Sequence, residues 1–306
     1  MRAFLLTNLR PHIAVRPPLT AMGRHRGGKD SAAAKKPPLT HFLCLPLVTS
    51  ASRPQLEHAL RAFIQDVSST SANPASSAEQ QDDIPSPNIH PKAIRPTGSL
   101  HLTLGVMSLS QEQLARATEC LDKLDFPSLL TSAESTATQG ITITLQGLQS
   151  MHTPEKTSIL YAEPADATDR LYPLCLALQK IFKEEGFLVE DGRPLKLHAT
   201  VVNTICAKGK KKPTQKPVSI TPDGRVLSAS AGESSEDRLQ GHGPTANAPL
   251  KIDSRALLAR YKDHIWASIE LDRVAICEMG TKKITATDGT IIDEQYTEVA
   301  SAPLHP

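Results

Sequence analysis

Paired cysteines are absent from this sequence. Its cysteines are odd in number and none belongs to a CxxC pair: Cys44, Cys120, Cys175, Cys206 and Cys277. Zinc sites and disulfide frameworks usually need such pairs or an even count. We therefore expect neither a structural metal nor a disulfide framework, and the scattered thiols indicate a reducing, intracellular compartment.

Aromatic residues, net charge and long apolar runs are also scarce. Aromatics make up 4% of the chain whereas 24 residues are proline, so long loops should dilute a smaller folded body. The formal net charge of +2 is too close to zero for a protein that coats nucleic acid along its length, so any such contact should be local. No apolar run reaches transmembrane length, which predicts a protein without a membrane segment.

Acidic residues are missing from residues 1–29, where the basic residues are Arg2, Arg10, Arg16, Arg24, Arg26 and Lys29. Such a segment is typical of a mitochondrial transit peptide, but Pro11, Pro17 and Pro18 would interrupt its amphipathic helix. We therefore interpret residues 1–40 as a disordered basic tail, and we favour the nucleus or the cytoplasm over mitochondrial import. Met22 is an alternative start.

Hydrophobic periodicity predicts strands and helices from residue 41 onward. In the first half we predict strands at 41–48, 99–109, 141–148 and 158–162, a helix at 53–67 and a helix capped by Ser110. In the second half we predict helices at 169–187 and 253–266 and strands at 196–205, 269–277 and 296–299. Residues 68–96 and 208–249 have the composition of flexible inserts. The pattern predicts one α+β domain over residues 41–303, with two similar halves, mostly antiparallel strands and helices outside.

Each half contains one of two matching pentapeptides, LHLTL at 100–104 and LHATV at 197–201. Residues i and i+2 of a strand share a face, so His101 should lie beside Thr103 and His198 beside Thr200. One HxT is expected by chance, but two copies in the same apolar frame indicate one shared groove. Two histidines that titrate near neutral pH can act as base and acid on a phosphodiester, while threonine hydroxyls donate to its nonbridging oxygens.

These segments resemble the two-histidine phosphoesterase superfamily of RNA-ligase-like (LigT) proteins and cyclic phosphodiesterases, which carry one HxT or HxS motif per lobe. They look most similar to the A-kinase-anchor-type phosphoesterase domain, as in activating signal cointegrator complex subunit 1. The similar segments are LHLTLGVMS (100–108), ITLQGL (143–148), LYA (160–162), KLHATVVNT (196–204) and DSRALLARY (253–261). The resemblance implies a bilobal, pseudo-twofold fold in which antiparallel sheets line a central cleft.

The same resemblance implies roles for the motif residues. His101 and His198 would be catalytic, and Thr103 and Thr200 would bind phosphate. The substrates would be RNA ends or small nucleotides with a 2′,3′-cyclic phosphate or a 2′,5′-phosphodiester, and the reaction would need neither cofactor nor metal. The resemblance does not separate the acid from the base. Residues 1–40 are too short for the KH domain that precedes this domain in the cointegrator subunit, so we expect no RNA affinity from that source.

Further side chains are candidate substrate contacts. Lys196 precedes the second motif by two positions and should share a face with His198, where it would meet phosphate, although an inert surface position is the alternative. Tyr161, Tyr296 and Trp266 could stack on a base, but Trp266 ends a predicted amphipathic helix and fits the core better.

Two functions from different classes therefore remain open. The first is a phosphoesterase that acts on an RNA end or a small nucleotide. The second is a non-catalytic nucleotide- or RNA-binding module of a transcription-coactivator or repair complex, which could include a helicase. ATP-dependent ligation is disfavoured because no nucleotidyl-lysine motif is present. Outside such a complex we expect a monomer that does not contact membranes.

Overall fold

The computed structural model describes residues 37–69, 89–130, 140–190, 192–207 and 250–304. Residues 1–36 of the predicted tail, residues 70–88 of the first predicted insert and the second predicted insert at 208–249 lie outside the described residues. The chain divides into Met1–Pro37 and Pro38–Pro306, and every element named below belongs to the second unit. No helix in the described part is long and apolar enough to span a bilayer.

The described residues form an α+β fold, as the alternation of periodicities predicted. The strands are β1 (His41–Pro46), β2 (His101–Met107), β3 (Ile141–Ser150), β4 (Ile159–Ala165), β5 (Ala199–Asn203), β6 (Ile265–Leu271), β7 (Arg273–Thr285) and β8 (Ile291–Pro303). The helices are α1 (Arg53–Ser69), α2 (Gln111–Asp122), α3 (Phe126–Leu130), α4 (Leu171–Glu184) and α5 (Arg255–Arg260). The short α3 was not predicted, because five residues are too few to show helical periodicity.

These strands build two antiparallel sheets that carry one motif each. In the first sheet the order is β2-β1-β7-β8, and in the second it is β5-β4-β3-β6. The first motif begins edge strand β2, and the second motif ends within edge strand β5. Because β2 and β5 contact each other, the two motifs meet at the boundary between the sheets.

Strand β2 shows how the sequence directs the motif outward. Leu100, Leu102 and Leu104 are buried, whereas His101 and Thr103 are partly exposed. Alternate side chains of a strand point to opposite faces, so one face of β2 joins the core and the other presents the motif. The predicted alternation is therefore confirmed.

Helix α1 covers the core with the predicted apolar stripe. Leu56, Leu60, Phe63 and Val67 are all buried, but Ile64, which we had placed in the stripe, is 38% exposed. The helix contacts β6, and one cluster of buried residues includes side chains from both sheets. This shared core is what holds the two motif-bearing edges in fixed positions.

The predicted cap of α2 is confirmed. The Ser110 hydroxyl accepts a hydrogen bond from the Gln113 backbone N–H, and the Gln113 side chain accepts one from the Ser110 N–H. Each bond satisfies a backbone donor that has no partner within the helix.

The predicted helix at 253–266 is wrong beyond its middle. Helix α5 ends at Arg260, and Ile265–Leu271 is strand β6, in which buried and exposed residues alternate from Ala267 to Leu271. Trp266 is buried at 2% exposure, in a strand rather than at a helix end. The predicted strand at 269–277 is likewise two strands, separated at Asp272. The apolar spacing of residues 253–266 is helical, but only α5 forms a helix. Beyond α5, the pairing of β6 with β3 overrides this local preference.

The first insert and the second-motif strand also have different bounds from those predicted. Helix α1 continues to Ser69, and residues 89–96 are anchored by the buried Ile89 and Ile94. Ile94 forms a β-bridge to Val202, so the end of this segment is not a free loop. The strand predicted at 196–205 is paired only over Ala199–Asn203, because the segment before it lacks a ladder partner among the described residues.

Candidate active site

The two histidines are held by the same local hydrogen bond. His101 Nδ1 lies 2.8 Å from the Ser99 carbonyl oxygen, and His198 Nδ1 lies 2.7 Å from the Lys196 carbonyl oxygen. A carbonyl only accepts, so each Nδ1 carries the proton. In the neutral ring this leaves the lone pair on Nε2, the atom that can then act as a base.

The two motifs border one cleft of about 330 Å³. Its walls are formed by Phe42, Arg95, Ser99, His101, Thr103, Val106, Thr200, Asn203, Cys206, Met279 and Tyr296. His101 and Thr103 come from the first sheet and Thr200 from the second. His198 does not line this cavity, but it lies close enough for its charge to act on His101. The fold therefore brings together residues that are far apart in the sequence.

The imidazole of His101 packs against two aromatic rings. Its centroid lies 4.8 Å from that of Phe42 on β1 and 5.0 Å from that of Tyr296 on β8. Phe42 and Tyr296 also meet each other edge to face at 4.8 Å, so the three rings form one cluster. Tyr296, one of the suggested stacking residues, thus lines the cleft.

This environment changes the protonation of His101. Burial, followed by the positive charges of Arg95 and His198, lowers the pKa of His101 from 6.5 to about 4. The hydrogen bond to the Ser99 carbonyl opposes the shift, because it favours the charged ring. His101 is therefore neutral at pH 7, with its Nε2 lone pair available.

The surroundings of His198 are less enclosed. Its ring meets Tyr161 edge to face at a centroid distance of 5.4 Å. Lys196 Nζ lies 4.6 Å from the centre of the same Tyr161 ring, a cation–π distance. Tyr161 thus links the second motif to the lysine that precedes it.

The suggested substrate contact through Tyr161 is not what the structure shows. Tyr161 is 2% exposed, and its ring packs against His198 and does not line the cleft. Lys196 is exposed and lines a neighbouring cavity of about 370 Å³ together with Asp166 and Tyr172. Trp266 packs in the core against Phe63.

Sequence reasoning missed several residues of the cleft, above all Arg95. It lies within the stretch that we interpreted as an insert, where no periodicity marks a structured position. Phe42 was placed in a buried strand, but the face of β1 on which it lies was not identified. Among the described residues, no three His, Cys, Asp or Glu side chains cluster in a way that could hold a metal ion.

Known proteins resemble this chain at several levels. A curated relative, an uncharacterized protein of Schizosaccharomyces pombe, is 25% identical over 206 residues, which cover 67% of this chain and 76% of the relative. Two solved structures, described as a phosphoesterase and as E. coli LigT complexed with 3′-AMP, each share 14% identity with a TM-score of 0.43. Each match covers 88% of this chain and 99% of the other.

A family model gives the broadest sequence match. The model, described as the AKAP7 2′5′ RNA ligase-like domain, matches residues 39–289. That range contains both HxT motifs and agrees with the resemblance to RNA-ligase-like two-histidine phosphoesterases noted from the motifs. A specific relation to the cointegrator subunit stays a prediction. With most of its length matched, the chain belongs to the AKAP7 2′5′ RNA ligase-like domain family.

Proposed function

We propose that this protein is a metal-independent phosphoesterase that acts on RNA ends or small nucleotides with a 2′,3′-cyclic phosphate or a 2′,5′-phosphodiester. The observation that carries the proposal is the matched pair of Nδ1–carbonyl hydrogen bonds at His101 and His198. Both bonds direct proton exchange to Nε2, beside a cleft that also contains Thr103 and Thr200. Such a pair can supply both a base and an acid without a metal.

The environments of the two rings support distinct roles. Because His101 is neutral at pH 7, its Nε2 is suited to take the proton from an attacking water. His198 then supplies the proton to the leaving oxygen. On a 2′,3′-cyclic phosphate, the water oxygen would bond to phosphorus as one P–O(ribose) bond breaks, and the ribose oxygen would take the proton from His198. The net reaction is hydrolysis. His101 then releases its proton to solvent and His198 takes one up, so both rings return to their starting states.

The threonines would hold the reacting phosphate. Hydroxyl groups of Thr103 and Thr200 can donate to its nonbridging oxygens, where negative charge accumulates in the transition state. Since they belong to different sheets, this contact would fix the phosphate at the sheet boundary. A rigid core behind both strands favours such positioning.

The test is hydrolysis by the purified protein in EDTA. The panel contains a 2′,3′-cyclic nucleotide, an RNA with a cyclic-phosphate end and a 2′,5′-linked oligoadenylate. Turnover should vanish in His101→Ala and His198→Ala, whereas His58→Ala, which changes an exposed histidine on α1, should match wild type. Activity that survives both motif-histidine substitutions, or that requires a divalent metal, would refute the mechanism. No turnover by a folded protein on any substrate would favour the binding-module alternative.

A second experiment separates the acid from the base. A nucleoside p-nitrophenyl phosphodiester releases a stable anion and needs little protonation of the leaving group. His198→Ala should therefore lose far less activity on this ester than on a ribose leaving group. His101→Ala should lose activity equally on both, and the reverse pattern would exchange the two roles.

A further inference from the structure

Arg95 is a cleft residue that belongs to neither motif. Its backbone N–H donates to the Val201 carbonyl at 2.8 Å, and the preceding Ile94 forms a β-bridge with Val202. The residue is thereby fixed along β5, the strand that carries Thr200. Arg95 therefore occupies a defined position relative to the second motif, although it is far from that motif in sequence.

The Arg95 side chain reaches the opposite sheet. Its Nη2 donates to the Tyr296 hydroxyl on β8 at 3.2 Å, and its Nη1 lies 3.2 Å from Cys206 Sγ. Both acceptors are uncharged groups. Hydrogen bonds from both terminal nitrogens of the guanidinium restrict its rotation, so the group is positioned before any ligand arrives.

The described residues do not neutralise the charge of Arg95 through an ion pair. No acidic side chain in the described part of the chain forms an ion pair with it. Among the described residues that line the cleft, Arg95 alone carries a permanent charge. A guanidinium has five N–H donors, so donors remain after the bonds to Tyr296 and Cys206. A partly buried, unpaired cation with spare donors suits a phosphate, which it can bind through two oxygens at once.

We infer that Arg95 binds the nonbridging oxygens of the substrate phosphate and makes the cleft selective for anions. The idea deepens the proposed function, since the same phosphate would meet Thr103, Thr200 and His101. Tyr296 then acts as a positioning residue that holds the guanidinium. Phosphate binding by Arg95 does not itself require turnover, so it can be tested separately from catalysis.

The test compares binding of adenosine 2′-monophosphate, adenosine 3′-monophosphate and adenosine by calorimetry. Arg95→Ala should weaken binding of the monophosphates roughly 10- to 100-fold, the usual worth of hydrogen bonds to a charged group. Adenosine binding should stay at the wild-type level. Arg95→Lys should recover part of the affinity, and Tyr296→Phe, which keeps the charge, should cost a few-fold.

The control removes an equal charge elsewhere. Arg116→Ala on α2 breaks a contact with Glu185 outside the cleft, so monophosphate affinity should not change. Equal loss of adenosine and monophosphate affinity in Arg95→Ala would overturn the inference, because it would indicate a purely structural role. Wild-type monophosphate affinity in Arg95→Ala, or none in the wild-type protein, would overturn it too. If Arg95→Ala does not fold, Arg95→Lys and Tyr296→Phe give the same comparison.

A titration gives an independent readout. Arg95 holds the pKa of His101 down by its charge, so His101 in Arg95→Ala should titrate at higher pH in NMR spectra, whereas Arg95→Lys should stay near wild type. An unchanged His101 titration in a folded Arg95→Ala would contradict the placement of the charge. Loss of monophosphate binding without any wild-type turnover would support the inference and refute the phosphoesterase proposal. Turnover with wild-type kcat and KM in Arg95→Ala would support the phosphoesterase proposal and refute the inference.

Discussion

Lowering the pH should destabilise this protein, and His101 should contribute more to the loss than a histidine whose pKa is not shifted by folding. The ring packs against Phe42 and Tyr296, and its pKa falls from 6.5 to about 4 in the folded state. As the pH falls below 6.5, the unfolded chain binds a proton at this position and the native state does not. Folding free energy is therefore lost between pH 6.5 and pH 4.

The size of the loss follows from the shift. Each pKa unit corresponds to about 1.4 kcal/mol, so full protonation would cost about 3 kcal/mol. Between pH 7 and pH 5 the loss assigned to His101 is about 2 kcal/mol, a large share of the stability of a typical domain. The neighbouring charges of Arg95 and His198 act in the same direction. The adjacent Tyr296 does not titrate in this range, because burial raises its pKa.

Urea unfolding of wild type and His101→Asn at both pH values measures this loss. The Asn side chain can still donate to the Ser99 carbonyl but does not titrate. Wild type should lose about 2 kcal/mol more than His101→Asn between pH 7 and pH 5. Thr103→Val changes the same cleft without removing a titrating group, so it should keep the wild-type pH dependence. Equal pH dependence in wild type and His101→Asn would show that the ring is not desolvated as described.

Three further predictions test the fold. A Cβ added in Gly98→Ala would lie 2.9 Å from the Glu294 carbonyl oxygen, so we expect a loss of about 1–3 kcal/mol in unfolding free energy, with lower turnover because the next residue orients His101. Phe63→Ala should cost about 3–5 kcal/mol in chemical denaturation, against less than about 1 kcal/mol for the exposed Ile64→Ala. Ser110→Ala should lower stability by about 1 kcal/mol through the lost cap, with wild-type turnover.

Local patterns in the sequence were enough to predict the motif-bearing strand β2 and the buried stripe of α1. Both depend on a periodicity that neighbouring residues create by themselves, such as the alternation of Leu102 with His101 and Thr103. We could also infer that the two HxT motifs meet at one site, since acid–base catalysis on a phosphodiester needs both histidines. The actual meeting of β2 and β5 depends on sheet order, which no local pattern contains.

The errors arise where long-range contacts decide the structure. Trp266 lies in a strand because β6 pairs with β3, which the helical spacing before it could not reveal. Tyr161 is buried with His198 and Lys196 packed on its ring, contacts that no pattern around residue 161 contains. Arg95 was missed for the same reason, since its backbone bond to Val201 and the bridge between Ile94 and Val202 bring this stretch to the cleft.

The two motifs are alike in sequence and in their hydrogen bonds, and the surroundings make them different. Each imidazole donates to the carbonyl two residues earlier, so its own strand fixes its tautomer and orientation. What distinguishes the rings lies on other strands: Phe42 and Tyr296 both pack against His101, whereas among the described residues His198 meets one aromatic ring, Tyr161. Near-symmetric halves could therefore supply interchangeable imidazoles, and unequal burial would then assign the base to the first. Such an inequality favours one assignment of base and acid over its reverse, whereas two equivalent rings could exchange the two roles.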